Sequence, residues 1–332
     1  MGFHAKLVTL ALCSAVLAGC GAQAGGDGAA PVSRAPAAAS SSQTGALLTG
    51  DEAPPAEQTD GFDGKRAFAH VAKQVGFGPR PSGSAAIGQL QEYMQSELAS
   101  YGCKVETDSF TADTPVGRLP MKNIVAKIPG DKPGIIMLAT HYDTKRIENF
   151  VGADDGASST GVMLEMARLL CPKRGNYAVW ITFFDGEEAV NFNWKDPDNR
   201  YGSKQMAAKM AMSGEIKKIK AFLLADIVGT RPLRFKREAD STKWLVDLVW
   251  GVADKLGYNN VFLKESSGAT DDHDSFLNRN VPALDVIDFE AYPGGNLYYW
   301  HTTQDTLDKI SPKSLAITGH VFLESVKQLQ AK

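Results

Sequence analysis

Short apolar runs rich in β-branched residues recur along this chain, and polar residues with acidic or imidazole side chains follow most of them. The runs are bounded by Gly, Pro or charged residues, as interior strands of a sheet usually are. Strands are predicted at 123–128, 134–140, 177–184, 221–226 and 281–287. Ligand sites of α/β proteins gather at the carboxyl ends of such strands. The sequence therefore predicts one sheet edge at which acidic and histidine residues converge.

Amphipathic helical patterns alternate with the strands. After Ser84, apolar residues recur at steps of three and four, and Gly102 follows, which predicts a capped helix at 85–101. Further helices are predicted at 158–170, 203–212, 242–256 and 312–329. This alternation predicts an α/β fold, a three-layer α/β/α sandwich around a central mixed, mostly parallel sheet.

The first twenty residues have the pattern of an export signal. Lys6 precedes an apolar run at 7–17 that is too short to span a membrane as a mature helix. The run closes with a Leu-Ala-Gly-Cys box ending at Cys20, which resembles the processing site of bacterial lipoproteins. We therefore expect a signal peptide at 1–20, a lipid anchor at Cys20 and a location in the bacterial cell envelope. An ordinary cleaved signal is the alternative.

The rest of the chain divides into a tether and one domain. Residues 21–60 are mainly Ala, Gly, Ser, Pro and Gln, a composition typical of a flexible tether. Residues 61–332 show no internal repeat and are numerous enough for a single large domain. The formal net charge is −3 and no basic run stands out, which argues against a nucleic-acid partner. Nothing in the sequence requires a partner chain, so we expect a monomer.

The predicted domain contains two cysteines, Cys103 and Cys171. Two cysteines of an exported protein can form one disulfide. They can equally remain buried free thiols, because sequence alone does not show whether their Cα atoms lie within bridging distance.

The first candidate ligands follow the strand predicted at 134–140. His141 lies at the mouth of this strand, and Asp143 could orient its ring by accepting an N–H. On its own, such a histidine more often hydrogen-bonds a loop. Asp154 and Asp155 precede a predicted helix, where one carboxylate is expected to cap the helix and the other is free to bind a metal.

Further candidates follow the other strands. Glu187 and Glu188 are consecutive, so their side chains diverge: one can bind a metal while the other faces a substrate as a general base. Asp226 ends a strand, Asp271 lies in a polar loop, and His301 is the second histidine candidate for a metal.

Three other histidines are weaker candidates. His70 and His320 lie on predicted helices and are expected to be surface or packing residues, whereas His273 is ambiguous.

The chain resembles the zinc-dependent aminopeptidase superfamily over roughly residues 62–330. The motifs that carry this resemblance are His141-x-Asp143, Gly152-Ala153-Asp154-Asp155-Gly156-Ala157-Ser158, Phe184-Asp185-Gly186-Glu187-Glu188, Asp226 and His301-Thr302. Within the superfamily the chain is most similar to the glutaminyl cyclases. The discriminating residues are His141-Tyr142-Asp143-Thr144-Lys145, Trp194, Tyr201-Gly202-Ser203, Asp271-Asp272-His273 with Phe276, and Trp300 before His301.

The resemblance implies a ligand set for one catalytic zinc, formed by Asp155, Glu188 and His301. His141 matches a position that binds a second metal in the aminopeptidases but not in the single-zinc cyclases.

The resemblance also implies an acyltransferase that closes the N-terminal Gln of peptides or proteins to pyroglutamate and releases ammonia. Glu187 corresponds to the general base and acid, Asp226 and Asp271 to its acidic partners, and Trp194 and Trp300 to the substrate pocket.

Two alternatives remain open from the sequence. A di-zinc aminopeptidase would use the same scaffold, with His141 and Asp226 completing a second metal site. A non-catalytic binding domain would be expected to lack ligands or the base, which are present here. One departure from the cyclases concerns the segment at 290–299, where a pocket aromatic residue cannot be assigned.

Overall fold

The computed structural model describes residues 51–290 and 295–332. The predicted signal peptide at 1–20, the lipid site at Cys20 and the tether as far as residue 50 lie outside the described residues. The strands are β1 Lys104–Thr114, β2 Gly117–Ile128, β3 Gly130–His141, β4 Gly175–Phe184, β5 Ile219–Asp226, β6 Phe235–Glu238, β7 Phe262–Ser267 and β8 Ala283–Ile287. The helices are α1 Gly64–Val75, α2 Ala85–Ser100, α3 Ala157–Leu170, α4 Tyr201–Ser213, α5 Lys243–Lys255, α6 Asp274–Leu277 and α7 Pro312–Gln330.

Six strands form one mixed sheet in the order β1-β2-β4-β3-β5-β8. The strands β4, β3, β5 and β8 are parallel, because helical crossovers connect them, and their carboxyl ends therefore share one edge. β1 and β2 form an antiparallel hairpin that pairs with β4. The predicted sheet is confirmed, and β6 and β7 form a separate two-stranded ladder.

Helices cover both faces of the sheet, as the sandwich prediction requires. α1, α2, α3, α5 and α7 pack on one face and α4 and α6 on the other. Alternate residues of β3 point to opposite faces: Ile136 and Leu138 enter the first core, while Ile135 and Met137 enter the second. Both faces of the central strands are thus buried, which explains their continuous apolar runs.

Several strands are absent from the sequence predictions. The strand β1 and the first half of β2 were missed, because their exposed positions are polar and give no apolar run. The ladder of β6 and β7 was missed for the same reason.

Residues 51–60, placed in the tether by their composition, pack on the domain instead. Ala53 and Thr59 are buried, and the Ser311 hydroxyl donates to the Asp51 carbonyl. The domain therefore begins before residue 61.

A disulfide joins Cys103 to Cys171, which settles the alternative left open by the sequence. It ties the residue that precedes β1 to the residue that follows α3.

Within residues 51–290 and 295–332, each helix is either too short or too polar to cross a bilayer.

Candidate active site

Parallel strands bring the predicted candidates to one edge of the sheet. His141 is the last residue of β3 and Asp226 the last residue of β5. Glu187 and Glu188 follow β4 after a tight turn at Gly186, whose φ of 71° favours glycine. The convergence predicted from the strand ends is therefore confirmed.

Asp155 reaches the same edge on the short loop that precedes α3. Gly156, which caps this helix with a φ of 87°, allows the loop to approach β3 closely. A Cβ atom there would lie 2.8 Å from the Asp143 carbonyl oxygen and 3.0 Å from Cε1 of His141. Only glycine fits this contact, and it places Asp155 beside His141.

The predicted capping role of one of the two aspartates is wrong, because the residue that caps α3 is Gly156. Asp154 instead bridges two other loops. Its carboxylate accepts the Gly229 N–H at 2.8 Å and the Tyr299 hydroxyl at 2.6 Å.

Asp155 belongs to two groups of potential metal ligands. On one side, Nε2 of His301 lies 3.3 Å from Asp155 and 3.1 Å from Glu188. On the other side, Nε2 of His141 lies 3.3 Å from Asp155 and 3.1 Å from Asp226. The two oxygens of one carboxylate thus face two imidazoles.

The acidic surroundings favour positive charge on both imidazoles. Burial by itself lowers the pKa of His141, but Asp226 and Glu187 raise this pKa well above its ordinary value. Burial likewise opposes the charge on His301, while the Glu188 carboxylate raises the pKa of His301 to about 9. The same carboxylates would attract a bound divalent cation.

Asp143 organises the pair of glutamates. Its two oxygens accept the backbone N–H groups of Glu187 at 3.1 Å and Glu188 at 3.3 Å. It also lies 3.5 Å from Nδ1 of His141, but this ring nitrogen has no hydrogen-bond partner among the described residues, so the predicted N–H contact with Asp143 is not made. The sequence suggested the contact with the ring but not the hold on the glutamates.

Glu187 and Glu188 have different environments, as their divergence predicted. The Lys145 ammonium lies 3.4 Å from Glu188, which also faces His301. Burial raises the pKa of Glu187 well above its ordinary value, and although His141 opposes the rise, Asp271 adds to it. A carboxyl group with a raised pKa is suited to exchanging protons near neutral pH.

Two further carboxyl groups complete this acidic cluster. Burial raises the pKa of Asp226 to about 6 and, with help from Asp226, raises the pKa of Asp271 to about 7. Both groups are therefore able to hold or release a proton near neutrality.

A cavity of about 260 Å³ opens onto this cluster. Eight of the nine residues predicted for the catalytic, pocket or metal roles line it: Asp155, Glu187, Glu188, Trp194, Asp226, Asp271, Trp300 and His301. His141 lies behind them and is 1% exposed.

Sequence reasoning missed part of the apolar wall of this cavity. Ile227, Ile287 and Phe289 line it, and the Phe289 ring packs edge-on against Trp300 at 4.8 Å. The signal available was position, because Ile227 follows β5 directly and Phe289 comes two residues after β8.

Besides Oδ2 of Asp155, which lies beside His301, two buried polar atoms of cavity-lining residues have no hydrogen-bond partner among the described residues. One is the indole Nε1 of Trp194, a donor, and the other is Oδ2 of Asp271, an acceptor. Unpaired buried polar groups cost about 1–3 kcal/mol each. Such a pair is suited to a ligand that carries both an acceptor and a donor.

The donor set of the group formed by Asp155, Glu188 and His301 fits a metal ion. One imidazole and two carboxylates, each offering an atom within 4.8 Å of the others, are typical ligands of a catalytic divalent cation. Oδ2 of Asp155 is buried and accepts no hydrogen bond from the described residues, although it lies beside His301.

The other histidines within residues 51–290 and 295–332 lie away from the cavity. His70 contacts the hydroxyls of Tyr93 and Tyr101, and His320 contacts that of Tyr258, which confirms their packing roles. His273 faces Glu238 at 3.3 Å, so the ambiguity about it is resolved against a place in the cavity wall.

The chain matches peptidase family M28 over residues 123–326. It is 31% identical over 268 residues to the glutaminyl-peptide cyclotransferase-like protein of Bos taurus, which covers 71% of this chain and 68% of that protein.

Solved structures of a glutaminyl cyclase and of a Zn-dependent exopeptidase also superpose on this chain. The glutaminyl cyclase of an Acidobacteriales bacterium superposes with a TM-score of 0.76 and 40% identity, over 81% of this chain and 95% of that one. A Zn-dependent exopeptidase from Parabacteroides distasonis superposes with a TM-score of 0.72 and 29% identity, over 79% and 97% of the two chains. The chain therefore belongs to peptidase family M28 and, within it, to the glutaminyl-peptide cyclotransferases.

Proposed function

We propose that this chain is a glutaminyl cyclase, which converts the N-terminal glutamine of a peptide or protein to pyroglutamate and releases ammonia. The observation that carries the proposal is that Trp194 and Asp271, which carry a buried unpaired donor and a buried unpaired acceptor, line the cavity that Glu187 also lines. The family membership supports the same reaction.

A glutamine side chain ends in a primary carboxamide, which offers one acceptor oxygen and two N–H donors. Nε1–H of Trp194 and Oδ2 of Asp271 are complementary to these atoms. An N-terminal leucine would leave both protein groups unpaired, at about 1–3 kcal/mol each. The cavity is therefore suited to glutamine rather than to an apolar residue.

We propose that Asp155, Glu188 and His301 hold one zinc ion. The donor set supports zinc, and the related exopeptidase is named as Zn-dependent. When bound, zinc supplies a Lewis acid for the γ-carbonyl group and for the negative charge that develops on its oxygen. Asp226 and His141 would then remain free of metal.

Glu187 is proposed as the general base and acid. The α-amine of the substrate attacks its own γ-carbonyl carbon, a ring closure that benefits from proximity. Glu187 takes the proton that the amine loses and returns it to the nitrogen of the leaving ammonia as the amide C–N bond breaks. Such proton transfer typically contributes about 10²–10⁴-fold.

Asp226 and Asp271 are proposed to support this proton transfer. Their pKa values, raised by burial to about 6 and about 7, allow them to share protons with Glu187. Trp194 and Trp300 wall the cavity together with Phe289, and their apolar surfaces keep out water that would compete with the amine.

The test is to incubate the zinc-loaded protein with a Gln-initiated peptide and a matched Leu-initiated peptide and to weigh the products. Loss of one ammonia from the Gln peptide alone is expected. Release of free Leu without loss of ammonia would overturn the proposal and would indicate that His141, Asp155 and Asp226 form a second metal site.

We also propose that Cys20 carries a lipid anchor in the bacterial cell envelope. The apolar run at 7–17 and the Leu-Ala-Gly-Cys box support this location. Cys20→Ser should move the protein from the membrane fraction to the soluble fraction, and an unchanged distribution would contradict the anchor.

A further inference from the structure

Asp305 holds the loop that carries the proposed zinc ligand Asp155. Its carboxylate accepts the backbone N–H of Asp154 at 2.8 Å and that of Asp155 at 3.1 Å. Its own backbone carbonyl accepts the N–H of Ala153 at 3.3 Å. Asp305 is 0% exposed, so these three contacts are shielded from water.

Arg80 binds the carbonyl groups of the same loop. Its guanidinium donates to the carbonyls of Val151 at 2.7 Å and Gly152 at 3.2 Å. Because Arg80 is also 0% exposed, one buried guanidinium group binds the carbonyl groups of the loop and one buried carboxyl group, that of Asp305, binds its N–H groups. Both the carbonyl groups and the N–H groups of the loop are thus hydrogen-bonded to buried side chains.

Asp305 is also connected to the other side of the ligand group. It lies four residues after His301, and its N–H donates to the Thr302 carbonyl at 3.1 Å. His301 has a φ of 54°, a conformation that non-glycine residues rarely adopt and that surrounding contacts must maintain. Asp305 therefore joins the segment that carries His301 to the loop that carries Asp155.

We propose that Asp305 is a positioning residue that sets the separation between the metal ligands Asp155 and His301 and thereby the affinity for zinc. The inference rests on the proposed zinc site but not on the identity of the peptide substrate. Metal affinity depends on how well the ligands are held before the ion binds, and the partners that orient ligands typically contribute about 10–100-fold.

The variant Asp305→Asn tests this role with little change in volume. The amide retains one acceptor oxygen and presents an NH₂ group to the second backbone N–H, so one of the two hydrogen bonds to the loop is lost. The dissociation constant for zinc, measured by competition with a chromophoric chelator, is expected to rise about 10–100-fold. If the proposed cyclase reaction occurs, excess zinc should restore much of the activity of this variant.

Asp308→Asn is the matched control. Asp308 is an exposed residue of the same segment, and its side chain contacts Thr306 and Lys309. The zinc affinity of the Asp308→Asn variant should therefore equal that of the parent protein. Asp305→Glu provides a second variant if Asp305→Asn does not fold. This variant keeps a carboxyl group with both oxygens but displaces the group by one methylene, and its zinc affinity should fall by about tenfold.

Equal zinc affinity of a folded Asp305 variant and the parent protein would overturn the inference, as would a loss of thermal stability with zinc affinity unchanged. These measurements need no peptide. A protein that binds zinc more weakly after Asp305→Asn but does not cyclise glutamine would therefore contradict the proposed function and leave this inference standing.

Discussion

The two sides of Asp155 offer nearly the same metal-binding groups in different surroundings. On the first side, His301 opens to the cavity and stacks on Trp300 with ring centroids 3.8 Å apart. On the second side, His141 is buried behind the cavity and faces Asp226 as well as Asp155. All three ligands of the first side line the cavity, whereas on the second side Asp155 and Asp226 line it and His141 does not.

The charges around the two sides also differ. Lys145 lies beside Glu188 on the first side and leaves fewer uncompensated negative charges for a metal to meet. On the second side Asp143, Asp226 and Glu187 surround His141, and their charges favour the protonated imidazole. The comparison teaches that a proton on the imidazole can balance the buried carboxylates on either side, since the pKa of His301 is raised as well as that of His141, and that only the wholly cavity-lining first side needs a metal for the proposed reaction.

The largest expected effect comes from Glu187, which lines the cavity and lies 3.8 Å from Nδ1 of His141. Glu187→Gln keeps the volume of the side chain but cannot take up the proton of the substrate amine, so turnover should fall about 10²–10⁴-fold. Zinc content, measured by atomic absorption, should remain that of the parent protein. The exposed residue Glu148 provides the matched control Glu148→Gln, which should leave turnover unchanged. Full activity of the Glu187 variant would remove the base from the mechanism.

Separate substitutions of the two histidines test directly whether a metal binds on one side of Asp155 or on both. His301→Gln removes a proposed ligand and should weaken zinc binding by at least the roughly 100-fold that changes around a ligand cost. His141→Gln should retain one zinc per chain, because a proton rather than a metal is expected on that side. Zinc titration of both variants is the measurement. Loss of a second bound zinc from His141→Gln would reverse the conclusion drawn from the comparison.

Trp194 sharpens the comparison on the substrate side. Trp194→Phe keeps an aromatic wall but removes the unpaired indole N–H, which should lower kcat/KM for a Gln peptide by roughly 10–100-fold, equivalent to about 1–3 kcal/mol. Trp244→Phe on α5 is the matched control and should have no effect on kcat/KM. An unchanged kcat/KM after Trp194→Phe would mean that the indole N–H does not contact the amide.

The smallest expected effect concerns His70, a buried histidine whose ring nitrogens contact tyrosine hydroxyls instead of carboxylates. Burial lowers its pKa below the ordinary value of 6.5, in contrast to the raised pKa of His141. The unfolded chain therefore binds a proton at His70 more readily than the folded chain does. The stability that the neutral His70 contributes is complete above about pH 6.5 and is lost as the pH falls below that value. Denaturant unfolding at pH 7.5 and 5.5 should show a smaller loss for His70→Gln than for the parent protein. A larger loss for the variant would contradict this assignment.

Much of the candidate site was predictable because strand ends are readable from sequence. Apolar runs located β3, β4 and β5, and the residues that follow them, including His141, Glu187 and Asp226, meet where parallel strands end. Which glutamate binds metal and which acts as base was not derivable from the pair itself, and the family resemblance supplied that assignment.

Other contacts were not predictable because they join residues far apart in the chain. Asp143 accepts N–H groups of Glu187 and Glu188, 44 and 45 residues away. Asp305 accepts those of Asp154 and Asp155, about 150 residues away. A carboxylate that binds backbone N–H groups leaves no periodicity or spacing in the sequence by which it can be recognised.

The sequence by itself determined the α/β layers and the sheet edge that carries the chemistry, because hydrophobic periodicity and strand ends are local properties of the chain. The family resemblance added the pocket residues Trp194 and Trp300. Tertiary structure decided which side of Asp155 opens to substrate, that Cys103 and Cys171 are joined, and how Asp305 holds two ligand segments together. These features depend on distances and burial between segments that only the folded chain brings into contact.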